Sequence, residues 1–346
     1  MTVTRWVEIS GQGNDTCSTK AADWEVWEES EDDKEEFERV ECEQWEFDES
    51  QFSSTITSEF ELVCGQEYLK SMAQTIYFVG MICGVFTFGV LADYLGRKKV
   101  LIFLLLGISV TGCLTSVMPS FPWFIFGRFL NAFVAIGIFE TQFTFAVELV
   151  GGKWTTIVGI GISYFWVVGW LTLGLLAYIL RDWRDLMLYS SIPSYLAVLL
   201  IWTVTESPRW LLAKGRLEEA EVIVRRAAEK NNLVLGKGWH LRSVEKENVE
   251  KTTILDLFRT KNMRTKTAIL YLNWFANALS YFGLTMNIGD LGGDVFTNFI
   301  ISGFLELPAY TAAIFFLLYC GRRFPYSCSM MLCGLSIMVV LRGVVP

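Results

Sequence analysis

Five charged side chains of this 346-residue chain stand inside or beside long apolar runs: Arg128, Glu140, Glu148, Glu306 and Arg342. A charge at the centre of a bilayer costs about 2.5–3.5 kcal/mol on insertion scales, so such groups are paired, wet or functional. Glu140 and Glu148 are eight residues apart and share roughly one helical face, with Glu140 about 12 Å deeper. Glu148 reads as a structural acid that pairs with neighbouring arginines. Glu140, with Gln142 nearby, reads either as the counter-charge for a cation in a water-filled cavity or as a buried, neutral acid. Aromatic residues crowd two of the same runs: Tyr164, Phe165, Trp166 and Trp170, then Trp274, Phe275, Tyr281 and Phe282. Each aromatic face that meets a quaternary ammonium group is worth about 0.5–2 kcal/mol. Taken singly, each of these rings is more often packing than ligand. The candidate cation-binding set is Glu140, Gln142, Trp166, Tyr281 and Glu306.

Other chemistries are poorly served. One histidine, His240, lies in a polar segment, so no nucleophile–histidine–acid set and no metal-ligand spacing can be assembled. Gly151-Gly152-Lys153 resembles part of a phosphate-binding loop, but Val147 and Trp154 stand where a glycine and a hydroxyl are needed. The chain is therefore read as a non-enzyme with no metal and no cofactor.

The elements that must position these residues follow from hydropathy and charge. Hydrophobic residues make up 52% of the chain and charged ones 19%, which is poor in charge for a soluble protein. The net charge of −8 is unevenly placed: residues 1–70 hold 20 acidic and 5 basic side chains, and the rest of the chain is net basic. An acidic total of this kind lacks the clustered positive charge of a nucleic-acid binder. A spanning helix needs about 20 mostly apolar residues. Eight segments qualify: 72–93, 100–118, 121–145, 155–179, 186–204, 268–288, 295–319 and 325–345. Lysines and arginines concentrate in the alternate connections 94–99, 146–154, 205–266 and 320–324, which the positive-inside rule places in the cytoplasm. The acidic N-terminal segment and Pro346 then lie outside. The expected organisation is an acidic external segment (1–70), five spans (71–204), a cytoplasmic loop (205–266) and three further spans (267–346). Within the loop, 216–230 is patterned as a charged helix.

An external N-terminal segment gives Cys17, Cys42 and Cys64 an oxidising environment and makes Asn14-Asp15-Thr16 a glycosylation sequon. Three cysteines cannot all pair with one another, and their pairing stays open. Residues 45–64 carry enough apolar content to pack as a small cap.

Two motifs carry specific information. Gly89-Val90-Leu91-Ala92-Asp93-Tyr94-Leu95-Gly96-Arg97-Lys98-Lys99 resembles the loop signature of the major facilitator superfamily. Its glycines permit a tight turn and close helix approach, and Asp93 can pair with the basic cluster, so the turn can act as a latch. A reduced copy, Gly321-Arg322-Arg323, falls 225 residues later with Leu318 in place of the acid. Two copies at equivalent turns point to two homologous bundles. The second motif, Glu206-Ser207-Pro208-Arg209-Trp210-Leu211 followed by Gly215-Arg216-Leu217-Glu218-Glu219-Ala220, resembles the cytoplasmic-loop signature of the organic ion transporter family of solute carriers. Cys42 through Phe47-Asp48 to Leu62-Val63-Cys64, Arg181-Asp182-Trp183-Arg184, and Tyr281-Phe282-Gly283-Leu284 are similar to that family as well. Glu306-Leu307-Pro308-Ala309-Tyr310 and Arg322-Arg323-Phe324 are most similar to its carnitine and novel organic cation branch.

The resemblance implies an all-α, multi-pass membrane protein of the twelve-span superfamily fold, here with eight spans and lacking the first and last three. It implies transport of a small organic cation or zwitterion such as carnitine by alternating access at the plasma membrane, with sodium or protons as candidate coupling ions. The residues expected to gate or brace that motion are Gly89, Asp93, Gly96, Arg97, Arg128, Glu148, Glu206, Arg209, Arg322 and Arg323. The rival expectations are a truncated, non-transporting form with an interaction or regulatory role, and a transporter of organic anions.

Overall fold

The apolar runs fold as long helices whose ends fall where the sequence supplies a turn, a proline or a capping side chain. The computed structural model describes residues 18–20, 39–41, 45, 47, 49–236, 238–241, 256–286 and 294–344. Asn14, Cys17 and Cys42 lie outside the described residues. A short antiparallel ladder pairs β1 (Ser18–Lys20) with β2 (Arg39–Glu41). It is the one departure from helix among the named elements, in a segment whose acidic run disfavours a packed core.

A small helix, α1 (Ile56–Glu59), opens on a reciprocal cap. The Thr55 side chain accepts from the Ser58 amide at 3.1 Å, and the Thr55 amide donates to Ser58 Oγ at 2.9 Å. The long helices follow: α2 (Tyr68–Leu95), α3 (Arg97–Ser116), α4 (Phe121–Glu148), α5 (Lys153–Leu180) and α6 (Trp183–Trp202). The connection carries α7 (Pro208–Ala213), α8 (Leu217–Lys230) and α9 (Asp256–Arg259), and then come α10 (Lys261–Met286), α11 (Val295–Tyr319) and α12 (Arg323–Val344). Each of the eight expected spans is thus a helix, and the expected charged helix at 216–230 is α8.

Six of the eight are long and apolar enough to cross a membrane among the described residues: α2 to α6, and α11. The count falls short of the expected eight for identifiable reasons. Asn273 and Asn277, with the basic start Lys261, Arg264 and Lys266, dilute the apolar character of α10. In α12 the described side chains stop at Val339.

The described chain divides into two compact units. One comprises residues 1–87, 104–137 and 176–198, and the other 88–103, 138–175 and 199–346. In the first, Ala73, Phe124, Ile125 and Trp183 form a buried cluster with Ile56 and Phe60 of the cap packed against it. Phe124 is edge-on to Trp183 at 5.3 Å between centroids, and Phe60 is tilted against Phe121, Phe124 and Trp183 at 5.6–6.1 Å. The expected cap at 45–64 is therefore seated on α4 and α6 by aromatic contact, each worth about 0.5–1.5 kcal/mol beyond its buried area. Cys64, at the cap's end, is disulfide-bonded, while Cys83, Cys113, Cys320, Cys328 and Cys333 are free thiols. In the second unit Trp210, Leu211 and Ala220 bury together with Ile223 and Leu241, which closes the connection's helices onto one another.

Candidate functional site

Two sets of polar side chains within the second unit are organised well enough to have a function. The first is built on the α2–α3 turn. Gly96 sits at φ +107°, a conformation that L side chains rarely adopt, and a Cβ there would meet Glu206 Oε2 at 2.5 Å. Glycine therefore serves two needs at once, the turn and the approach of a carboxylate. Glu206 accepts the Lys98 amide at 3.0 Å and the Ser207 amide at 3.1 Å. An anion is thus held on a first-turn amide of α3, where the helix dipole favours it.

Arg97 is the centre of the set. Its Nη1 lies 2.7 Å from Asp93 Oδ1 and donates to Ala92 O at 2.9 Å, while its Nη2 lies 3.1 Å from Glu148 Oε1. The other Glu148 oxygen accepts from Ser207 Oγ, which in turn caps α7 by accepting the Trp210 amide at 3.3 Å. Trp210 Nε1 donates to Asp93 O at 2.9 Å, Lys98 Nζ to Trp202 O at 2.8 Å, and Arg209 Nη2 to Val150 O at 3.3 Å. Asp93, Gly96, Arg97, Glu148, Glu206 and Arg209 are thereby brought into one network. The Arg97 side chain is only 10% exposed, and its Nε is buried without a hydrogen-bond partner among the described residues.

The second set lies on α5, α10 and α11. Tyr310 donates to Glu306 Oε2 at 2.9 Å. Tyr281 lies within electrostatic reach of both Glu306 and Trp166. Tyr164 adds its ring edge to Tyr310 at 6.2 Å and shares a 2.6 Å hydrogen bond with Thr311. One carboxylate is therefore bonded by one phenol, with a second phenol and an indole in its neighbourhood. Tyr281 remains 40% and Trp166 50% exposed.

Toward the C-terminal end of α5 and the N-terminal end of α11 the contact becomes a ring stack. Trp170 stacks on Phe299 at 4.2 Å and 7° and donates Nε1–H to the Phe299 carbonyl at 2.9 Å. A Cβ on Gly303 would meet Trp170 Cδ1 at 2.7 Å, so this glycine admits the indole. Trp166 and Trp170 share one face of α5, and Gly303 and Glu306 one face of α11, by their spacing of four and three residues.

The other candidates stand apart. Glu140 is exposed and makes no hydrogen bond or ion pair among the described residues, and Gln142 is half-buried beside it; neither joins the Glu306 set. Arg128 belongs to the first unit, where it lies 4.5 Å over the Tyr77 ring and donates to Gln74 Oε1 at 3.4 Å. Gly89 is exposed with nothing within 4 Å of a built Cβ, so no close helix approach occurs there. Arg322 and Arg323 are exposed with no ion pair among the described residues; Leu318, at the acid's place, leaves them nothing to hold. The side chain of Arg342 lies outside the described residues.

The candidate sets read from the sequence leave out Tyr310, Tyr164, Thr311 and Ser207. Tyr310 had a readable signal, since it lies four residues after Glu306 on a helix. Ser207 had one too, as a serine before proline at a helix start. Also missed was a knot in the first unit. Arg184 Nε donates to both Glu59 oxygens at 3.0 and 3.1 Å, and its amino nitrogens donate to Ser116 O at 2.6 Å and Met118 O at 2.9 Å. Trp183 Nε1 donates to Glu59 Oε2 at 2.7 Å.

Comparison with known proteins fits this geometry. The family model described as "Sugar (and other) transporter" matches residues 19–345. Solute carrier family 22 member 3 of Rattus norvegicus is 38% identical over 286 residues, which is 83% of this chain and 52% of that protein. Organic cation/carnitine transporter 2 of Homo sapiens is 34% identical over 312 residues, 87% of this chain and 55% of that protein. The organic cation transporter protein of Drosophila melanogaster is 31% identical over 311 residues, 87% and 57% respectively. The chain thus spans about half the length of these curated relatives. Among solved structures, the major facilitator superfamily proton:xylose symporter XylE bound to 6-bromo-6-deoxy-D-glucose matches with a TM-score of 0.53 and 17% identity. That match covers 76% of this chain and 63% of that one, a likeness of fold alone.

Proposed function

The chain belongs to the sugar (and other) transporter family, whose members are multi-pass membrane transporters rather than enzymes, and on that premise we propose that it moves a small organic cation or zwitterion across the plasma membrane. The observation that carries the reading is Glu306, hydrogen-bonded by Tyr310, with Tyr281 and Trp166 close by. The carboxylate supplies the charge. Its hydrogen bond from the Tyr310 phenol leaves the aromatic faces to contact a methylated ammonium group, a cation with no N–H to satisfy. The acid is the one charged member of the set, which favours a cation over the organic anion of the rival reading. The same substrate class is named in two of the relatives, the human organic cation/carnitine transporter and the fly organic cation transporter.

The Arg97 network is the corresponding latch. It ties the α2–α3 turn to the ends of α4 and α6 and to the start of α7, on the side that the positive-inside rule makes cytoplasmic. Alternating access requires the substrate to bind two arrangements with different affinity. Glu148, shared between Arg97 and Ser207, is the group whose partners change between them.

The test is binding and uptake by the purified chain in lipid vesicles, with labelled tetraethylammonium and carnitine, under imposed sodium or proton gradients. Saturable binding that falls about tenfold or more in Glu306→Gln is expected, since a charge-assisted contact is worth about 1.5–3 kcal/mol. Wild-type binding unchanged by that substitution overturns the assignment of Glu306. Gradient-dependent uptake identifies the coupling ion.

A further inference from the structure

A cavity of 270 Å³ opens in the first unit, where the cap meets the junction of α5 and α6. Its walls include Phe52, Ile56, Trp183 and Leu186, which are apolar, together with Arg181 and Asp182, which are charged. The walls are held from behind. Ser53 donates its amide and its hydroxyl to the Arg181 carbonyl at 2.9 and 3.0 Å, and Ser54 bridges to Asp182. Thr55 is locked by its reciprocal cap with Ser58, and the Trp183 indole is fixed by Glu59. Arg181 itself sits at φ +54°, in the left-handed region. A non-glycine residue there costs about 1–3 kcal/mol and persists where surrounding structure over-determines it.

The two charges are not spent on each other or on any other ion among the described residues. Among the described residues the Arg181 guanidinium makes two long hydrogen bonds, Nε to Tyr178 O at 3.3 Å and Nη1 to Ser50 O at 3.5 Å, and lies 5.5 Å over the Tyr178 ring; none of these neutralises its charge. Asp182 uses one oxygen to cap α6, accepting the amides of Arg184 at 2.7 Å and Asp185 at 3.2 Å. The other oxygen takes no hydrogen bond among the described residues. A simple anion in the cavity gains Arg181 and is repelled by Asp182; a simple cation meets the reverse. A molecule that carries both charges on a small apolar frame is attracted by each. Its volume suits a frame of betaine or carnitine size, and its apolar walls suit methyl groups.

We propose that this cavity is a binding site for small zwitterions, separate from the Glu306 set and independent of the function assigned to it. The test is equilibrium binding of labelled glycine betaine to the purified chain in lipid nanodiscs. Each lost charge-assisted contact is worth about 1.5–3 kcal/mol, so Arg181→Gln and Asp182→Asn are each expected to weaken this binding about tenfold or more. Asparagine retains the oxygen that caps α6, and Arg181→Lys, which keeps the charge, is expected to retain binding where glutamine loses it. Glu306→Gln leaves the site intact, so betaine binding that survives this change and falls with Arg181→Gln supports the proposal even where the reading of Glu306 fails. Tetramethylammonium and acetate are expected to compete at least tenfold less well than betaine. The proposal is overturned by the absence of betaine binding, by binding that Arg181→Gln leaves unchanged, or by equal competition from either simple ion.

Discussion

Two arginines organise the two units, and they are satisfied in opposite ways. Arg184 is the wetter, with 28% of its side chain exposed, yet it is fully engaged: both oxygens of Glu59, two carbonyls at the end of α3 and the face of Trp183 at 4.6 Å. Arg97 is the drier, at 10%, and it has a buried Nε without a partner among the described residues and an acid that it shares with Ser207. Unmet polar capacity is expensive where water is scarce. A knot that is wet and complete behaves as a staple. One that is dry and incomplete holds a position that a modest change of partners can release, and the latch proposed for transport needs that property.

Removing Glu148 should break the contrast most. Glu148→Ala leaves the nearly buried Arg97 with Asp93 as its one remaining acid, so a loss near the lower end of the range for a broken buried pair, about 3 kcal/mol, is expected. Glu148→Gln keeps an acceptor for Ser207 and should cost less. Unfolding of the chain in mixed micelles by detergent titration measures both. If the alanine variant is as stable as the parent, the knot is not under the strain described. Gly96→Ala comes next, because a Cβ there meets Glu206 Oε2 at 2.5 Å and the φ of +107° disfavours any side chain. About 1–3 kcal/mol is expected. Gly89→Ala, with open space around it, is the internal control and should stay within about 0.5 kcal/mol of the parent.

The helices were readable because a run of apolar residues has few alternatives in a bilayer: each backbone group must be satisfied within its own segment. α2 to α6 and α11 come from that rule alone. The Arg97 network was partly readable, since Asp93, Gly96, Arg97 and Glu206 lie in two short motifs whose residue types imply a turn and a charge pair. That the two motifs meet, with Glu206 on an α3 amide and Ser207 on Glu148, is tertiary information that no local pattern holds. The Glu306 set was half legible. Trp166 and Tyr281 were singled out among many aromatics for their chemistry, but which rings surround the acid depends on how α5, α10 and α11 pack. Glu140 shows the converse, a residue of the right type at the right depth that no partner meets. The Glu59–Arg184 knot escaped because its members are 125 residues apart in sequence and unremarkable separately.

That knot supplies the smallest effect and the sharpest check on the comparison. The Arg184 hydrogen bonds hold the Glu59 carboxyl below its ordinary value, with the Trp183 indole adding to them and burial opposing. A carboxylate depressed by folding contributes stability that is fully present above the unfolded value, near 4.3, and is lost as pH falls through the folded value. Glu59→Gln should therefore cost about 1 kcal/mol at neutral pH, as for a partly exposed ion pair of good geometry. The penalty relative to the parent should stay flat down to about pH 5 and shrink below about pH 4 as the parent's own carboxyl protonates. Because the pair is partly exposed, raising salt should also narrow the gap. The drier Arg97–Glu148 pair should respond much less to the same salt. Equal salt sensitivity of Glu59→Gln and Glu148→Gln, read from the same unfolding titrations, would remove the distinction between the two knots.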